Sequence, residues 1–321
     1  MFKSKIVRFA ILILMPVALF AICSLITPGF GLNSISVVLS QIVIPVCLGY
    51  GIAFTNAAGI FDLSGGARVI LAAACGASLA QNLGFGFWGM IIGCLAAGIV
   101  ISIIMGFCHN LFHIPSLILS LGFVMLIEVA GARLLGDSSY LKVDSAITFI
   151  GKAPYKYIIC VVMAILFYII YYKTKSCYHM RLIGGNELLA RNIGVNVKKA
   201  NFQAYAISGI FLGVAGILQL CYSGTITSSV SLSSLSLVFQ PMMGVLIGVE
   251  LLALVDNLAL TIVVGELFIS ILYNMIIGMG VDSSMQDVLL GFFMIIVMSI
   301  SANKEVIGRF FRKLRRKEVR A

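Results

Sequence analysis

Charge is what this 321-residue chain has least of: Asp, Glu, Lys and Arg make up 11% of it, against about 25% in an ordinary soluble domain. None of the four occurs between Arg8 and Asp62, between Arg68 and Glu128, or between Lys199 and Glu250. Each gap has room for two apolar crossings of about 20 residues, so a soluble globular domain is excluded. A Gly-x-x-x-x-Gly-Lys-Ser/Thr loop is also missing, and Gly151-Lys152 lacks the earlier glycine; the chain has no phosphate cradle of its own. His109, His113 and His179 form no His-Glu-x-x-His pattern, so no metal site is expected. Neither a Gly-x-Ser-x-Gly elbow nor an intramembrane aspartate pair is present, which argues against a protease. The eight cysteines (Cys23, Cys47, Cys75, Cys94, Cys108, Cys160, Cys177 and Cys221) contain no C-x-x-C pair and are expected as buried free thiols.

What charge there is sits at the edges of apolar runs. Lys3, Lys5 and Arg8 precede the first run, and Lys173, Lys175, Arg181, Arg191, Lys198 and Lys199 fill one long polar loop. Lys304, Arg309, Arg312, Lys313, Arg315, Arg316, Lys317 and Arg320 follow the last run. This positive-inside pattern puts all three segments on the cytoplasmic side of a membrane. The net charge of +10 is therefore attributed to contact with the lipid bilayer, with no nucleic acid expected as a partner. Spans are expected at 7–27, 35–56, 66–82, 87–108, 115–135, 155–172, 201–222, 235–255, 259–279 and 285–302. Both termini then lie inside, and Arg133, Lys142, Lys152 and Lys156 are left as the basic residues facing out. The first run is as long as a span, and Ile22 stands before Cys23 where a lipoprotein signal needs a small residue; it is expected to stay as a crossing. The chain reads as an all-α polytopic membrane protein of about ten helices. Residues 1–303 form one domain containing a cytoplasmic loop at 173–200, and 304–321 form a basic tail. Gly-x-x-x-Gly spacings at Gly89/Gly93, Gly209/Gly213 and Gly244/Gly248 are expected to serve tight internal packing.

The long loop holds the densest local signal. Asn186 is a good N-cap, Glu187 suits the positive end of a helix dipole and Arg191 the negative end. Gly194 can adopt the left-handed conformation that stops the helix. A two-turn helix of about 10 Å is expected, with Leu188 and Leu189 on one side and the charges on the other. Spacing alone fits equally a helix lying on the membrane surface. The residue identities go further: Arg181-Leu182-Ile183-Gly184-Gly185-Asn186, followed by Ala190-Arg191 and Gly194-Val195-x-Val197, resembles the cytoplasmic loop of ribose-type ABC importer permeases, in the branched-chain amino acid/sugar permease superfamily. The resemblance implies a type II, vitamin B12-permease-like helical bundle. In it Arg181, Gly184, Gly185, Asn186, Glu187, Ala190, Arg191 and Gly194 would couple to a separate ATPase, which binds the ATP.

Two further patches resemble the same family. In Gly59-Ile60-Phe61-Asp62-Leu63-Ser64-Gly65-Gly66-Ala67, the residues Asp62, Leu63, Ser64 and Gly66 match, while Ile60, Gly65 and Ala67 depart. The other is Gly280-Val281-Asp282-Ser283-Ser284-Met285-Gln286 with Gly291 and Asn274. Where the family carries glycine pairs after its eighth span, this chain has Gly248-Val249-Glu250 and Leu254-Val255-Asp256-Asn257, which suggests a specialised half pairing with a second, distinct permease. The resemblance also implies an extracellular solute-binding protein and a simple sugar as solute, with nucleosides or branched-chain amino acids as alternatives. Asp62, Ser64, Asn56, Gln41, Gln240 and Asn274 are candidates to line the path, although Asp62 and Ser64 could equally cap a helix beside Arg68. Glu128, Glu250 and Glu266 are costly within apolar helices. An ion-coupled carrier, the competing reading, would use Glu128 and Glu266.

Overall fold

The computed structural model describes residues 5–27, 30–31, 33–112, 114–136 and 140–302. The basic tail, Lys3 and His113 lie outside them. The helices are α1 (Lys5–Ile26), α2 (Asn33–Gln41), α3 (Val43–Ala57), α4 (Gly65–Gln81), α5 (Gly86–Phe112), α6 (Ser116–Leu135), α7 (Tyr155–Lys173), α8 (Lys175–Gly185), α9 (Glu187–Asn192), α10 (Val197–Ser223), α11 (Ser236–Leu251), α12 (Leu258–Gly278) and α13 (Ser283–Ala302). Every expected apolar run is helical, and among the described residues eight segments are long and apolar enough to cross a membrane. Outside those eight are α13 and α4, which has only 17 residues and is mostly buried among its neighbours. The chain is not wholly α: β1 (Tyr140–Lys142) pairs antiparallel with β2 (Thr225–Thr227), tying two loops at one end of the bundle.

The second expected span is split, because Pro45 has no N–H to offer the Gln41 carbonyl and the helix turns loose at Ile42 before resuming as α3. α3 and α10 form the centre of the bundle. Tyr50 stacks on Phe167 of α7 with ring centroids 4.5 Å apart, and Phe54 lies 5.4 Å from Phe211 of α10. The Tyr50 hydroxyl donates to the Ala259 carbonyl of α12 at 2.9 Å. α10 meets α5 backbone to backbone: a Cβ on Gly98 would stand 2.8 Å from the Gly213 Cα, and one on Gly209 would stand 2.7 Å from the Gly98 carbonyl oxygen. Small residues thus give close contact between helices that share lipid-like apolar surroundings. Trp88, Ile92, Leu126 and Val161 face outward uncovered. That belongs to a surface solvated by hydrocarbon.

Candidate functional site

The bundle has two working ends. At one, α8 and α9 stand between α7 and α10. Thr174 caps α8, accepting from the Cys177 N–H at 3.3 Å, and Cys177, Met180 and Ile183 are buried along one face. Burial pushes the Cys177 thiol up to about 12 despite Arg181 nearby. This extra helix was missed in the sequence, because its mean hydropathy is too low to stand out as a segment. The Arg181 guanidinium lies 5.1 Å from the Tyr171 ring and 5.6 Å from Tyr172. The Tyr172 hydroxyl in turn accepts the Leu258 N–H at 2.8 Å, fixing the start of α12. Gly184 closes the base, since a Cβ there would lie 2.3 Å from the Ala57 carbonyl oxygen, whereas a Cβ on Gly185 meets nothing within 4 Å.

On that base α9 projects as a short rigid knob. The Asn186 Oδ1 accepts the Leu189 N–H at 3.0 Å, Arg191 bridges to Glu187 at 2.7 Å, and Gly194 ends the turn at φ 85°. Leu188 and Leu189 are 75% and 60% exposed, Ile193 is 61% exposed, and Ala190 at 1% is the buried contact with the bundle. Both leucines and both charges are exposed, and Ala190 is the buried residue of the helix. Exposed large apolar residues clustered on a capped helix mark a surface that meets either another protein or the membrane.

At the opposite end, where α3 and α11 begin and α10 ends, lies a cavity of about 710 Å³. Ser40, Gln41, Gln219, Tyr222, Gln240 and Tyr273 supply polar groups, and Leu48, Phe239, Pro241 and Met243 supply apolar wall. Among the described residues no charged side chain lines it. Gln41 and Gln240, two of the path candidates, are here, and Asn274 donates to the Gln41 Oε1 at 2.6 Å. Pro45 and Pro241 each interrupt a helix ladder at the wall. Gln219, Tyr222 and Tyr273 were not singled out in the sequence; nothing local distinguishes them from other polar residues of apolar helices. Lys156 stands behind the wall, its Nζ on the Ser40 hydroxyl and 5.9 Å from the Tyr222 ring.

The remaining candidates lie elsewhere. Asp62 is buried and paired with Arg68, and its Oδ1 accepts the Ser64 N–H at 2.9 Å and the Ser64 hydroxyl at 2.7 Å. Arg68 also donates to the Ser102 hydroxyl at 2.9 Å and lies 5.8 Å from the Tyr205 ring. Asp62 and Ser64 thus hold α4 against α5 and α10 and do not line the cavity. Asn56 is half-buried at the α8 end, where its carbonyl accepts the Gly59 N–H at 2.9 Å. Glu128 is 5% exposed, and its two carboxyl oxygens accept the Leu232 and Ser234 N–H groups, each at 2.9 Å. It pins the non-helical stretch that leads from β2 into α11, a carboxyl engaged by backbone and not a free relay. Glu250 lies in the last turn of α11, half-buried, at the α8 end. Glu266 is fully buried between α3, α11 and α12. Among the described residues no cluster of His, Cys, Asp and Glu could hold a metal ion.

A bundle of apolar helices with a polar cavity at one end and a bared, capped helix at the other fits a membrane permease. Comparison with known proteins makes this specific: residues 34–298 match the family described as branched-chain amino acid transport system / permease component, and the chain belongs to it. It is thus a multi-pass protein of the bacterial cell membrane, of the ABC importer permease class. It is 25% identical over 262 residues to a protein described as a probable ABC transporter permease of Sinorhizobium fredii, covering 79% of this chain and 77% of that one. With the galactose/methyl galactoside import permease MglC of Haemophilus influenzae it shares 26% identity over 71% of this chain and 73% of the relative. With the fructose import permease FruF of Bifidobacterium longum it shares 26% over 78% and 71%.

Proposed function

We propose that this chain is the membrane-spanning subunit of an ATP-driven importer for a simple sugar, and that α9 is the element through which a separate ATPase moves it. The observation that carries this reading is the capped α9 with Leu188, Leu189 and Ile193 bare on a base locked by Gly184 and Arg181. In this reading the chain crosses the membrane ten times with both termini, α8 and α9 in the cytoplasm, and residues 1–303 act as one permease domain. The cavity then opens outward, where a solute-binding protein would deliver the solute. ATP stays on the ATPase, and the permease supplies no covalent chemistry and needs no cofactor. A second permease, either another copy or the distinct partner suggested by Asp256 and Asn257 in place of glycines, completes the path.

A sugar is favoured over an amino acid or an ion by the lining of the cavity. Side-chain amides, hydroxyls and aromatic rings suit a neutral polyhydroxyl molecule, while among the described lining residues there is no charge to meet a zwitterion. The similarity to galactose and fructose import permeases supports the same reading. The test is ATP-dependent uptake of labelled galactose and fructose by the assembled importer, with Arg191→Glu beside the parent. The exposed Glu187–Arg191 pair contributes only about 0.3–0.5 kcal/mol, so Arg191→Glu should keep membrane insertion and yield, yet lower uptake at least tenfold. Unchanged uptake at equal protein level would refute the docking role.

A further inference from the structure

Among the described residues Glu266 is the carboxylic acid that is buried with both oxygens unpaired. Its slot is walled by glycine backbone. A Cβ on Gly244 would lie 2.2 Å from the carboxyl carbon, one on Gly49 would lie 3.1 Å from Oε1, and one on Gly265 would lie 2.2 Å from the Gly244 carbonyl oxygen. The slot adjoins the cavity: Leu48 and Met243, which line it, immediately precede Gly49 and Gly244. Farther from the cavity Gly248 continues the same seam against Ile262, its missing Cβ 2.9 Å from the Ile262 backbone. Buried polar groups are almost always paired, so an unpaired carboxyl calls for an explanation. Interlocked side chains would resist separation of α11 from α12, whereas glycine faces carry no such interlock. Pro241 already interrupts α11 at the cavity wall.

We propose that Glu266 is a second station for the solute, hidden beneath the outward cavity and bared when the α11–α12 glycine seam parts, where its carboxyl takes hydrogen bonds from the hydroxyl groups of a neutral polyol. This rests on the sugar-import reading above. A merely structural role and a solute-binding role make opposite statements about one pair of variants. Glu266→Leu is close in size and removes an unpaired buried carboxyl, so it should fold at least as well, with a melting temperature equal to or above the parent. Glu266→Gln keeps hydrogen-bonding capacity in the same slot. In the assembled importer, with labelled galactose and fructose as probes, Glu266→Leu is expected to lower uptake tenfold or more, and Glu266→Gln to retain at least half. Parent uptake with an undiminished Glu266→Leu overturns the second station alone. A lower melting temperature for Glu266→Leu with uptake lost to the same extent in Glu266→Gln overturns it as well, because the carboxyl would then be a packing element. Absence of uptake of either sugar by the parent overturns the import reading beneath it.

Discussion

Glu128 and Glu266 are two carboxylic acids set in apolar helices, and the chain treats them in opposite ways. Glu128 of α6 gives each oxygen to a backbone N–H of the stretch before α11 and so closes a gap that helix hydrogen bonding leaves open. Glu266 of α12 has been given glycines and, among the described residues, no donor. Burial alone therefore does not reveal the role of an intramembrane carboxyl. The partners do: a satisfied group is a fastener, and an unsatisfied group beside a cavity is waiting for something that moves.

The comparison extends to Asp62, the most heavily fastened acid of the three, and variants rank accordingly. Arg68→Ala should do the most damage, because it leaves the Asp62 carboxylate buried without its cation; losing one partner of such a pair costs about 3–5 kcal/mol. Thermal unfolding in detergent should show a large fall in melting temperature and reduced yield. Second comes Glu128→Ala, which strands two backbone donors at a break in secondary structure. A typical hydrogen bond contributes about 0.5–1.5 kcal/mol net, so losing two should be clear but smaller, with Glu128→Gln between parent and alanine. If Glu128→Gln and Glu266→Gln changed stability equally, the contrast between fastened and waiting carboxyls would collapse.

Much of this bundle is legible in residue order. The apolar runs are uninterrupted and each becomes helix, since a chain in hydrocarbon must satisfy its backbone internally. The cap at Asn186 and the stop at Gly194 are local devices, and they form at the residues named. Long-range pairings are not local and could not be read. Glu128 meets amides at Leu232 and Ser234, more than a hundred residues away, and Gln41 meets Asn274 from the other end of the chain. The break at Ile42 was available in principle from Pro45, but hydropathy runs straight through it.

The docking loop shows the same division. Its identities point to a partner, yet only geometry separates the residues that face one from those that hold the platform. Arg181 stacks on Tyr171 and Tyr172, and Gly184 is pressed against the Ala57 carbonyl, so changes at either would disturb packing before they touched a contact. Gly185, Leu188, Leu189 and Arg191 are open to the outside of the bundle. Variants there report on docking itself.

The most direct test is site-specific photocrosslinking in whole cells from two positions, Leu189 on α9 and Tyr155 at the opposite end of the bundle. The account expects Leu189 to form an adduct with an ATPase subunit that varies with nucleotide state, and Tyr155 to form none with that subunit. An ATPase adduct from Tyr155, or a Leu189 probe that captures only lipid in the working importer, would contradict it.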